Sequence, residues 1–281
     1  MTEATEYLLG ASPGERERLL RQCEIFDAQA RWLLDQIDIQ PGWRALDVGC
    51  GPLGVLDQLA GRVGPAGAVV GLDRDPQMRD WARLSIAERG LENVQIVAGE
   101  AAASGLPRGS FDVVHARLVL INVANCDEVI REMAALVRPG GRVAVQDLDW
   151  ISWICEPPHP AWDRLVSVTT AVRHAHGLDV FIGRHLPALL RAAGLVDIGV
   201  KAFAPVWKPG DLYQQLLIGF AELHREKIVA AGLLADSEMT DLAEALRDHL
   251  NHPDTIVVHP LLFQAWGSKP TDGSLDRGLS A

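Results

Sequence analysis

Apolar residues recur along this chain with two periods. From Pro13 to Ile39, Leu19, Leu20, Cys23, Phe26, Ala30, Leu33, Leu34 and Ile37 return at helical spacing, which predicts one long helix. Pro41-Gly42 stops it. Short, nearly continuous apolar runs follow at Arg44–Val48, Ala68–Leu72, Val94–Val97, Phe111–Ala116 and Arg142–Gln146. Helical patterns such as Gln77–Arg89 and Asp127–Leu136 lie between them, and Pro139-Gly140-Gly141 turns into the last strand. Alternating strands and helices predict a doubly wound α/β fold with a mainly parallel sheet. Unbroken apolar strands fit burial on both faces.

Beyond Trp150 the rhythm changes. Pro157-Pro158-His159-Pro160 is a stiff connection. Helices are expected at Ala161–His174 and Arg184–Ala193, the second closed by Gly194. Val196–Ala204 and Thr255–Trp266 read as two more strands, which brings the sheet to seven. Between them Asp211–Leu250 is largely helical and far longer than a hairpin loop. The expected organisation is an N-terminal helical lid over 1–40 and an α/β domain over 41–268. That domain carries a cap insertion at about 208–252, and a flexible tail occupies 269–281.

The chain has 281 residues, and its 48% hydrophobic content supports a full core. A formal charge of -11 argues against a nucleic-acid partner, which wants clustered Lys and Arg. The segment "MTEATEYLLG" lacks a basic start, and no apolar run reaches spanning length. Neither a signal peptide nor a membrane partner is therefore expected. Cys23, Cys50, Cys126 and Cys155 are scattered with no C-x-x-C, which suggests no zinc site and no disulfide framework. A reducing cytoplasm fits. A homodimer stays open.

The chemistry starts at "LDVGCGPLG", Leu46–Gly54. Glycines at a strand-to-helix turn let a ligand approach the backbone. A dinucleotide would put phosphate there, and Asp47 beside the loop would repel it. A cationic ligand without phosphate removes that objection. Asp73 ends the next strand, where a carboxylate can accept from both hydroxyls of a ribose. That position would serve a nicotinamide dinucleotide equally well.

With "IVAGEAAASGLPRGSFDVVHARLVL" the chain resembles the Rossmann-like, class I S-adenosylmethionine-dependent methyltransferases of small molecules. The resemblance rests on "LDVGCGPLG", "VVGLDRDPQM", "VAGEAAASGLP", "SFDVVHARLVL" and "LVRPGGRVAV" in that order, from Arg44 to Val145. It implies S-adenosyl-L-methionine as cofactor. Gly49, Cys50 and Gly51 would lie along its methionine part, with Asp47 beside them. Asp73 would bind ribose, and Glu100 and the Ala101 amide would face adenine. Ala116 or Arg117 would offer backbone to the methionyl ammonium. Tyr7 and Gln22, on the covering N-terminal segment, would reach its carboxylate. Two positions depart from the family pattern. The third loop glycine falls on Leu53, with Gly54 next, and Arg74 stands where an apolar residue covers adenine. The Arg74 stem can still cover a ring.

The acceptor site is less defined. Gln146, Asp147, Asp149 and Trp150 fall at the end of the fifth strand, where ligands bind in parallel sheets. Asp147 and Asp149 are candidates to orient an acceptor, with helix or loop capping as the plainer alternative. His174 and His176 are the first candidates for a base, ahead of His115 and His185. His-x-His lacks a third metal ligand, and Asp147 with Asp149 lacks the full pattern of a Mg²⁺ site. Trp150, Trp153, Trp162, Phe181 and Trp207 would suit an aromatic or apolar acceptor. Cys50 reads as a small filler. The expected reaction is methyl transfer to O, N or C of a small organic acceptor. An NAD-dependent oxidoreductase stays open, as does a protein of this fold that binds the cofactor without transferring methyl.

Overall fold

The computed structural model describes residues 13–271. Tyr7 and most of the expected tail lie outside them. The chain begins with α1 (Pro13–Ile25) and α2 (Asp27–Gln36). It continues through β1 (Arg44–Val48), α3 (Leu56–Val63), β2 (Ala68–Asp73), α4 (Pro76–Glu88), β3 (Val94–Ala98) and β4 (Phe111–Arg117). Then come α5 (Cys126–Leu136), β5 (Val137–Asp149), β6 (Ile154–Glu156), α6 (Pro160–Ala175) and α7 (Ile182–Ala192). The chain closes with β7 (Val196–Phe203), β8 (Val206–Trp207), α8 (Leu216–Leu223), α9 (Arg225–Ala230), α10 (Asp236–Leu250), β9 (Ile256–Val258) and β10 (Leu261–Ser268).

The main sheet has seven strands in the order β3-β2-β1-β4-β5-β10-β7. Its first five are parallel, and β10 runs antiparallel to both neighbours. The order reverses between β1 and β4, and the crevice there is where such sheets take ligands. Helices cover both faces. One face carries the cluster of Ala30, Leu33, Leu34 and Ile37 from α2 with Leu56 and Leu59 from α3. The other buries α5, α6 and the helices between β8 and β9. Burying one Leu or Ile contributes about 1.5–3 kcal/mol, so the stripe on α2 is enough to fix that helix on the sheet.

The structure corrects two expectations. The predicted single helix from Pro13 to Ile39 breaks at Phe26, whose backbone leaves helical geometry at φ -97° and ψ 10°. No proline or glycine marks the break. The Phe26 ring is fully buried, edge-on to Tyr213 and His259 with centroids 6.3 and 5.6 Å away. The chain turns where that ring enters the core. The strand expected from Thr255 to Trp266 is also two strands. It divides at His259-Pro260, because proline has no N–H for a ladder. β9 joins a second sheet in the order β6-β9-β8, and only β10 enters the main sheet.

Candidate functional site

The loop after β1 is built around glycines that nothing larger can replace. Gly54 has φ +54°, and a Cβ on it would lie 2.1 Å from Asp47 Oδ2. Gly49 has φ +65°, and its Cβ would meet the Val119 side chain at 2.6 Å. Gly54 thus takes a left-handed turn one position after Leu53, where the family pattern has its third glycine. The Gly51 N–H donates to Asp73 Oδ2 at 2.9 Å, and the Asp75 N–H donates to Asp73 Oδ1 at 2.9 Å. Asp75 caps α4 by accepting from the Gln77 and Met78 N–H groups, with Pro76 at the first turn. One carboxylate therefore ties the ends of β1 and β2 together.

These elements enclose a cavity of about 980 Å³ including its open mouth. Gly49, Cys50 and Gly51 form one side, and Asp73 and Arg74 form the next. Glu100 and Ala101 lie along the far end, while Arg117 and Gln22 close the near end. Asp73 retains lone pairs beyond its two backbone bonds, and burial raises its pKa. Glu100 pairs with Arg74 at 3.9 Å and keeps its side chain 61% exposed. Cys50 is buried, and desolvation holds its thiol well above its ordinary pKa, as a filler requires.

Two cofactor candidates sit elsewhere. Ala116 is fully buried within β4 and does not line the cavity. Asp47 lies behind the loop. Its Oδ2 accepts the Val55 N–H at 3.1 Å, and its Oδ1 faces His115 Nδ1 at 2.8 Å. His115 Nε2 meets Gln146 Nε2 at 2.9 Å. Gln264 donates to Gln146 Oε1 at 2.8 Å and to the Gln29 carbonyl at 2.7 Å. The chain has one direction, set by that carbonyl, which can only accept. Gln146 therefore donates to His115, and His115 donates from Nδ1 to Asp47. Five residues from α2, β10, β5, β4 and β1 thus brace the loop from below.

The acceptor candidates divide in the same way. Asp147 is fully buried and accepts from the N–H groups of Leu120, Ile121 and Leu148 at 2.8, 3.2 and 2.9 Å. It caps the short helical turn Leu120–Asn122. Burial pushes its pKa up to about 7 against those donors. Asp149 pairs with Arg184, and its Oδ1 is buried without a partner. His174 is exposed, and His176 bonds the Val172 carbonyl at 2.8 Å at the end of α6. Neither histidine lines the cavity, because α6 carries them past the sheet end. Trp150, Trp153 and Trp162 are buried in contact edge to face.

Several residues near the site carry no strong sequence signal. Leu118, at φ +56°, lines the cavity with Val119, Asn122 and Val123. Arg173 is only 4% exposed. Its guanidinium sits 4.0 Å from the Trp150 ring centre and 4.5 Å from that of Phe220. It donates to the Ile121 carbonyl at 3.0 Å and makes no ion pair among the described residues. An uncompensated buried charge costs about 3–5 kcal/mol. Two ring contacts at about 0.5–2 kcal/mol each and one charged hydrogen bond are of the same size, and Asp147 attracts the guanidinium through space. Burial pushes its pKa down to about 9, so it stays charged at neutral pH. The spacing Leu165, Thr169, Arg173 puts it on the buried face of α6 and is the signal that finds it. Among the described residues no group of His, Cys, Asp or Glu is arranged to hold a metal ion. No helix there is long and apolar enough to cross a membrane.

Comparison with known proteins agrees with this geometry. The methyltransferase-domain family matches residues 39–176. Nocamycin O-methyltransferase of Saccharothrix syringae is 44% identical over 189 residues, covering 62% of this chain and 67% of that enzyme. Of several other curated relatives the chain spans only about half the length, 51–57%. Among solved structures, the YcgJ protein of Bacillus subtilis superposes with TM-score 0.56 at 19% identity, over 85% of this chain and 97% of that one. Phosphoethanolamine N-methyltransferase 2 of Haemonchus contortus was solved with phosphomonomethylethanolamine and S-adenosylhomocysteine. It superposes with TM-score 0.54 at 16% identity, over 87% of this chain and 52% of that one.

Proposed function

Because the chain belongs to the class I S-adenosylmethionine-dependent methyltransferases, we propose that it methylates an oxygen of a small, largely planar organic acceptor. The observation that carries the reading is the cavity at the sheet's switch point, with the glycine loop, Asp73 and Glu100 on successive strand ends. Its residues fit the cofactor: Asp73 has lone pairs for two ribose hydroxyls, and Ala101 with Met78 offers apolar cover for adenine. Gln22, Gly49 and the Arg117 backbone, which line the same cavity, would serve the methionyl end. Bound there, the sulfonium supplies an already activated methyl group. The residues then hold donor and acceptor in line and exclude water.

Oxygen is favoured by the likeness to an O-methyltransferase, and a planar acceptor by the buried indoles beyond β5. We read α1 and α2 as a cover for the cavity, and the helices between β8 and β9 as a cap on the acceptor side. Four free cysteines support a reducing compartment such as the cytoplasm. The acidic balance favours a small molecule over a nucleic acid. Isothermal titration tests the core of the reading. Saturable binding of S-adenosylhomocysteine without binding of NAD is expected. Binding of NAD alone would return the chain to the oxidoreductases.

A further inference from the structure

The segment after β4 has two sides. Leu118, Val119, Asn122 and Val123 line the cofactor cavity. The carbonyl of Ile121, in the same segment, accepts from Arg173, which is not part of that lining. That guanidinium is buried from α6 between Trp150 at the end of β5 and Phe220 on α8. Its Nε has no partner, and neither does the indole Nε1 of Trp150, which is 3% exposed. The buried carboxylate of Asp147 attracts the guanidinium through space but makes no hydrogen bond to it. Asp147 has both oxygens committed to backbone N–H groups. Buried donors with no acceptor are rare in native proteins, and here one of them is a cation.

We propose that Arg173 and the Trp150 indole N–H form an anion subsite for an ionised oxygen of the acceptor. The inference rests on the methyl-transfer reading and names its substrate class: acids whose oxygen is already deprotonated at neutral pH. Such an oxygen is a carboxylate or an enolate that anchors the acceptor. Flat rings beside the guanidinium fit an acid conjugated to a planar skeleton.

The test uses the full chain saturated with S-adenosylhomocysteine. Binding is measured for two matched pairs, benzoate against benzamide and the enolate of 1,3-cyclohexanedione against cyclohexanone. Wild type is expected to favour the anion of at least one pair by about 10-fold or more. The favoured pair tells a carboxylate from an enolate. Arg173→Met should abolish the preference while still binding S-adenosylhomocysteine, and Arg173→Lys, which keeps the charge, should retain part of it. Equal binding within both pairs in wild type overturns the subsite, as does a preference that survives Arg173→Met. Failure of wild type to bind S-adenosylhomocysteine would instead sink the methyltransferase reading on which the subsite rests.

Discussion

Replacing Asp47 by asparagine separates two uses of a carboxylate beside a glycine loop. Oδ1 takes the proton side of His115 at 2.8 Å, and Oδ2 takes the Val55 N–H at 3.1 Å. An amide keeps one acceptor and brings two donors. Whichever way it turns, one of the two buried donors loses its partner and meets another N–H. A buried donor left unsatisfied costs about 1–3 kcal/mol. Asp47→Ala orphans both, for about 2–6 kcal/mol on the same basis, against a usual total of about 5–15 kcal/mol. The expected order of stability is wild type, Asp47→Asn, Asp47→Ala, read from urea midpoints by tryptophan fluorescence. The carboxylate does not line the cavity. The affinity of folded Asp47→Asn for S-adenosylhomocysteine should therefore stay within about 10-fold of wild type. An unchanged urea midpoint with a loss of about 100-fold in affinity would refute the bracing role and make Asp47 a direct cofactor contact.

Asp73→Ala should cost affinity as well as stability, because the Gly51 and Asp75 N–H groups also lose their acceptor. Two lost hydrogen bonds to a charged acceptor, at about 1.5–3 kcal/mol each, raise the Kd for S-adenosylhomocysteine by about 100-fold or more; a change under about 5-fold would rule out the ribose contact. Gly54→Ala forces a Cβ to 2.1 Å from Asp47 Oδ2 at φ +54°. The left-handed backbone alone costs about 1–2 kcal/mol, so Tm should drop by about 5 °C or more, and an unchanged melt would contradict the loop geometry. His259 is fully buried, and burial lowers its pKa to about 4. The unfolded chain, with a value of about 6.5, takes up that proton first on acidification. The contribution is therefore complete above about pH 6.5 and drains toward pH 4, by about 3 kcal/mol in all. Urea midpoints across that window should flatten in His259→Asn, and a profile parallel to wild type would refute the burial argument.

What the sequence showed and what it hid follow from where the information lies. β1, β2 and β4 were legible because strands buried on both faces must be apolar throughout. The position of Asp73 and Glu100 at the cavity was legible because polar residues close those strands. Asp47 read the same way, yet its partners are His115, 68 residues on, and a backbone N–H. Nothing local distinguishes a carboxylate that faces a ligand from one that braces the loop. Phe26 looked like one more position in a helical stripe, because the rings that pin it arrive with Tyr213 and His259. Pro260 did announce the division between β9 and β10, although the second sheet needed β6 and β8 to be seen. Asp147 and Asp149 were rightly placed at the sheet's end, but burial decides their use and burial is a property of the folded chain.

The break at Phe26 also separates two helices with different holds on the molecule. α2 is fastened by Ala30, Leu33, Leu34 and Ile37 within a main core. α1 contributes Leu19 to a separate cluster with Met78 and Trp81, and the same helix supplies Leu19, Gln22 and Cys23 to the cavity wall. Segments with few buried contacts open at a fraction of the global unfolding free energy. The wall most easily displaced is thus the α1 side of the cavity, while the strand-end side that carries Asp73 and Glu100 stays in place. Residence time in this cavity is a property of α1: amide exchange along that helix should slow when S-adenosylhomocysteine is bound, with little change along β1.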